Sequence, residues 1–313
     1  MSELNYSPIR MRTLKANHYI PFNLYIYFKN QYVLFLNDGG LIEPDKYKKL
    51  KKQKIAKFFI KEVDEDKYQS FLDDLLEQTL NSSDASTEDK VDIVEGQATN
   101  ALEKLKENPT SESSFDLTRE AAQNIQRLLK EDPKALQTMY GDSSGDNEAI
   151  VKHSLNVAAL SIQLAKKLKV SDENIDYLTT AALMHDVGLM QMSPEKQKLF
   201  IKNRKEFTNE ERKDYYFHCT DIVDHLQDKP YINAEILELI YNHEEKINGN
   251  GPLKKSKLTL AQQVLSLVNT YDKKIIVEGK TPQETVKAMM IDELGNYDLS
   301  HIKMLKTVIT ESL

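Results

Sequence analysis

Cysteine is nearly missing from these 313 residues: Cys219 stands alone, so no intramolecular disulfide can form and a reducing compartment fits. Glycine and proline are scarce, at 10 and 9 residues. With Leu, Lys, Glu and Ala dominating the second half, that half is expected to be rich in helix. No excess of basic charge exists either. The formal net charge of −7 argues against a general nucleic-acid binder, so no DNA partner is expected. A small phosphate ligand stays compatible with it, because a bound metal can reverse the local field. The opening stretch MSELNYSPIRMRTLK lacks the apolar core of a signal peptide. Nowhere is there an apolar run long enough to span a bilayer. The expectation is a cytoplasmic protein with no membrane partner.

What is present divides in two. Asn23 to Leu36 (NLYIYFKNQYVLFL) is rich in aromatic and β-branched residues around a central Lys-Asn-Gln, which reads as two short strands and a tight turn. Asn37-Asp38-Gly39-Gly40 then breaks the chain. A Lys-rich helix over 46–54 follows, its lysines best read as a solvated face, then a strand over 56–63. Between Asp66 and Leu80, apolar Tyr68, Phe71, Leu72, Leu75 and Leu76 have amphipathic helical spacing. Residues 1–80 thus read as a small α+β domain. Residues 81–147 read as a linker and connecting helices, with a polar link at 81–88, helices near 89–107 and 116–131, and a loop at 141–147. From 148 to 313 the period stays near 3.6, the mark of an all-α bundle.

Histidine is rare, yet four of the seven fall at suggestive places in that bundle. His153 shares a face with Val157, Leu160 and Leu164, so it points inward. His185-Asp186 ends the apolar helix Ala181-Ala182-Leu183-Met184. His218 precedes a short helix containing Ile222 and Val223. His243-Glu244 closes a helix carrying Ile236, Leu239 and Ile240. Further on, Asn269 and Asp272 form an i,i+3 pair on one face. A lone inward His is most often a core residue, and His18, His225 and His301 are read as structural or surface residues. Four in order, each at the end of an apolar helix and accompanied by carboxylates, point to shared cations, because buried imidazoles and carboxylates are costly without partners. Imidazole with carboxylate suits Fe, Mn, Zn or Ni. A carboxylate beside a His is suited to bridging two metals, which together activate water and clamp a phosphate.

Over residues 145–310 the sequence resembles the HD superfamily of metal-dependent phosphohydrolases, and within it the HD-GYP family. Ala181 to Gly188 (AALMHDVG) looks like the family's "aaLLHDIGK", and His153 to Ala158 like the helix carrying the first metal histidine. His218 sits after Thr208-Asn209-Glu210-Glu211 as the family's third histidine does. His243 to Pro252 (HEEKINGNGP) is similar to "HHExxDGxGYP", and Gln263 to Asp272 to "RILAVADVYD". The departures are many. Leu189 replaces a phosphate-binding Lys, Glu244 the second His of the pair, Asn248 an Asp, and Asn269 the terminal metal-binding Asp. The tyrosine is missing, and Glu278 falls near the place of a phosphate-binding Arg. Ala149 stands where trinuclear members carry a Glu, which implies two metals rather than three.

The resemblance implies an α+β N-terminal domain followed by an HD-type helical bundle holding two divalent transition-metal ions, iron first and manganese as the alternative. The implied metal ligands are His153, His185, Asp186, His218, His243, Glu244 and either Asn269 or Asp272, with Asp186 as the bridging, catalytic carboxylate. Lys246, Lys254 and Lys255 are candidates for phosphate binding, although a solvated surface role suits each better. The implied activity is hydrolysis of cyclic-di-GMP or a related phosphoester, weakened or altered by the departures. The alternative is a catalytically degenerate module that senses a nucleotide or engages a protein signalling partner.

Overall fold

Alternation and turn chemistry account for the first part of the chain in the computed structural model, which describes residues 5–53, 55, 57–141 and 149–313. The strands are Tyr6–Arg10 (β1), Tyr19–Ile20 (β2), Leu24–Phe28 (β3), Gln31–Leu36 (β4), Gly40–Leu41 (β5) and Lys57–Lys61 (β6). Four of them form an antiparallel sheet in the order β1-β6-β3-β4, and β2 pairs with β5. Lys29 and Asn30 link β3 to β4 with φ of 49° and 62°. Two consecutive positive φ values are what a type I′ two-residue hairpin requires. Helix α1 (Pro44–Lys52) precedes β6, and α2 (Glu65–Asn81) buries Tyr68, Leu72, Leu75 and Leu76, the face expected from the sequence. These elements belong to a first compact unit, Met1–Asn100.

The second unit, Ala101–Leu313, is helical. The division falls within α3 (Thr87–Glu107), after which come α4 (Glu112–Glu131), α5 (Ala135–Gly141), α6 (Ala149–Lys167), α7 (Asp172–Met184), α8 (Val187–Met190) and α9 (Pro194–Gln197). Then follow α10 (Asn209–Leu226), α11 (Ala234–Asn242), α12 (Leu260–Glu278), α13 (Pro282–Asp292) and α14 (Leu299–Ser312). Most of the loop expected at 141–147 lies outside the described residues.

Capping sets where the helices begin. Thr208 with Glu211, Thr259 with Gln262, and Thr281 with Glu284 each form a reciprocal capping box. Gly279, left-handed at φ 64°, ends α12. α6 buries residues on most of its circumference, from Ile150 to Ala165, and packs on α4, α7 and α12, which makes it the central helix of the bundle. One sequence expectation is corrected here. His218 lies well inside α10 rather than ahead of a short helix. The first turns of α10 (NEERKD) are polar throughout and carry no apolar period, so only the capping box at Thr208 marks the true start.

Candidate metal centre

The four histidines reach the middle of the bundle by a repeated local device. His185 caps the C-terminus of α7, His243 that of α11, and His218 sits in α10. In each, Nδ1 faces the carbonyl three residues earlier: His185 to Ala182 at 2.7 Å, His243 to Ile240 at 2.5 Å, and His218 to Tyr215. A carbonyl only accepts, so Nδ1 carries the proton and Nε2 is left with a lone pair aimed at the centre. His153, on α6, instead sets Nδ1 2.7 Å from Asp272 Oδ2. Asp272 is itself fixed, accepting from the Tyr140 hydroxyl at 2.7 Å and the Asn156 amide at 3.1 Å.

The four Nε2 atoms converge as two pairs. Those of His153 and His185 are 3.1 Å apart, with Asn269 Oδ1 3.0 Å from the former. Those of His218 and His243 are 3.0 Å apart. Asp186 lies between the pairs. Its Oδ2 is 3.5 and 3.4 Å from His153 and His185, and its Oδ1 is 3.2 and 3.5 Å from His218 and His243. All five of these side chains are wholly buried. Gly188 makes the convergence possible, because a Cβ there would lie 2.7 Å from the backbone oxygen of His218.

Two buried nitrogen lone pairs at such a separation repel unless a cation lies between them. Burial holds His153 below its usual range and His243 down to about 4, which disfavours a charged imidazole at either residue. Burial would raise the carboxyl of Asp186, but the Lys273 ammonium beside it helps hold the group well below the usual carboxylate range. Asp186 Oδ2 accepts no hydrogen bond. The donors therefore fit divalent transition metals. His153, His185, Asp186 and Asn269 could hold one ion, and His218, His243 and Asp186 a second.

Two residues from the sequence-derived ligand set stand elsewhere. Asp272 is placed behind His153. Glu244 Oε1 is held 2.7 Å from the Arg204 guanidinium, 3.2 Å from Lys273 Nζ and 3.3 Å from the Tyr215 hydroxyl. Burial opposes its ionisation, but Arg204 and Lys273 overcome this and keep it a carboxylate. Sequence reasoning missed Lys273. Its ammonium is buried 3.1 Å from Asp186 Oδ2 and donates to Tyr215 at 2.7 Å. Burial disfavours the charge there, yet Asp186, Tyr215 and Glu244 together hold it protonated. The available signal was its spacing, four residues after Asn269 on the same helix face.

Beside the centre lies a cavity of about 300 Å3 whose lining includes Arg204, Arg212, Lys246, Lys273 and Lys274, together with Glu278 and Glu293. Lys254 and Lys255 do not line it. Lys255 lies over the Tyr241 ring, 3.6 Å from Glu238. Leu189 is fully buried, and Glu278 pairs with Lys274 and Lys280.

The HD domain family profile matches residues 143–300. The chain belongs to that family, as an HD-GYP member. The solved structure of Bd1817, a HDG"Y"P protein from Bdellovibrio bacteriovorus, is similar with a TM-score of 0.80 and 29% identity. The match covers 98% of this chain and 100% of that one. No curated protein matches. Membership makes this a metal-dependent HD-type phosphohydrolase, whose own His/Asp clusters are able to bind metal. Among the described residues, no helix is long and apolar enough to cross a membrane.

Proposed function

We propose that the bundle is a dinuclear, metal-dependent phosphodiesterase that cleaves cyclic-di-GMP or a related phosphoester in the cytoplasm. The observation that supports this reading most is Asp186, one carboxylate with an oxygen turned to each histidine pair. Divalent transition metals bound there, iron or manganese, supply water activation and neutralisation of phosphate charge.

The chain's own residues do the rest. Asp186 is the catalytic residue, an ionised carboxylate that would hold an ion at each histidine pair. His153, His185 and Asn269 complete the first position, with Asp272 orienting His153; His218 and His243 serve the second. Lys273 supplies beside Asp186 the ammonium that Leu189 lacks. With Arg204, Arg212, Lys246 and Lys274 it makes the adjoining cavity a place for phosphate. Arg204 and Lys273 also engage the Glu244 carboxylate through its Oε1.

Turnover of cyclic-di-GMP by the manganese- or iron-loaded chain tests this, with release of linear dinucleotide or GMP as the expected result. Lys273→Met should lower turnover by about 100-fold or more, the scale seen when a charge-stabilising donor is removed. A metal-replete, folded chain that binds cyclic-di-GMP without releasing product would instead support the alternative, a degenerate module that senses a nucleotide or engages a signalling partner. The sequestered Glu244 is the observation that favours that second reading.

A further inference from the structure

We infer that Cys219 is a thiolate ligand of the second metal position. This rests on the dinuclear reading above. Cys219 Sγ lies 3.6 Å from His218 Nε2 and 3.9 Å from His243 Nε2, wholly buried, and the three ligand atoms all lie within 4.8 Å of one another.

The spacing is that of a coordination polyhedron. Metal–nitrogen bonds of about 2.0–2.1 Å and a metal–sulfur bond of about 2.3 Å set tetrahedral ligand atoms about 3.4 Å apart for N–N and about 3.6 Å for N–S. The corresponding distances here are 3.0 Å between the nitrogens, 3.6 and 3.9 Å from sulfur to nitrogen, and 3.2 and 3.5 Å from Asp186 Oδ1 to nitrogen. The two imidazoles and the thiol are thus spaced as ligands of one ion, and Asp186 Oδ1 lies close to the same two nitrogens.

Charge argues the same way. Without Cys219, two dications would meet four neutral imidazoles, a neutral Asn269 amide and a single carboxylate. A thiolate adds the second anion on the side where Glu244 is already neutralised by Arg204 and Lys273. On binding, the Cys219 S–H bond breaks, sulfur keeps the electron pair and donates it to the metal, and the proton leaves to solvent. The second position becomes softer than the first, which has only nitrogen and oxygen donors.

Cobalt(II) titration of the metal-stripped full chain, followed by absorption and by bound cobalt, tests this. Because the chain has one cysteine, any thiolate-to-cobalt charge-transfer band belongs to Cys219. The expected result is such a band in the near ultraviolet, growing with one of two bound equivalents and lost in Cys219→Ser while that variant still binds cobalt. Two bound equivalents with no such band, or a band that persists in Cys219→Ser, would overturn the thiolate ligand and leave the dinuclear reading standing. A wild type that binds no cobalt would overturn both.

Discussion

Asp272 shows how a single residue's role depends on partners distant in sequence. Asn269 and Asp272 share a face of α12, so either could be read as the last ligand. The choice is made by α6 and α5, where His153 Nδ1, Asn156 and Tyr140 surround Asp272 and leave Asn269 Oδ1 near the Nε2 pair. An outer carboxylate fixes the tautomer and aim of a ligating imidazole, and its loss typically costs about 10–100-fold in metal affinity. Asp272→Ala should weaken the first metal position by that factor in a chelator-competition titration, and an unchanged affinity would refute the orienting role. Glu244 was hidden for a similar reason. Its captor Arg204 lies 40 positions away, before the start of α10, and no local pattern couples them. The histidines, by contrast, were legible because each stands on or closes an apolar helix face.

At the scale of elements, the long helices were readable from their period and caps, whereas β2 and β5, two residues each, carry no alternation to detect. The most demanding joint is between α8 and α10, where Gly188 meets the backbone of His218. Backbone cannot swing aside as a flexible side chain can, so an added methyl must push α10 outward. Gly188→Ala should cost about 1–3 kcal/mol, the usual penalty of overpacking. It should also weaken the second metal position, since His218 moves with its helix. Urea unfolding of the metal-free protein beside a metal titration checks both, and a variant that matches the wild type in each would contradict this placement.

Across the whole molecule, the net charge of −7 conceals an uneven distribution, with cations gathered around one cavity beside the buried carboxylates Asp186 and Glu244. Composition alone argues against a general nucleic-acid binder but could not reveal that local reversal, which appears only when α10, α12 and the segment around Arg204 are brought together. The HD architecture was legible as an ordered succession of residues, His, His-Asp, His, His, and the HD domain match over 143–300 agrees with it. The departures from the family pattern cluster in space as well: Lys273 stands by Asp186, Arg204 holds Glu244, and Cys219 lies beside His218 and His243. All of this depends on whether two ions occupy the centre. Elemental analysis of anaerobically purified full chain, beside Asp186→Ala, tests it most directly. The proposed dinuclear function predicts two equivalents of iron or manganese per wild-type chain and loss of both in the variant, whereas a folded wild type without transition metal would contradict it.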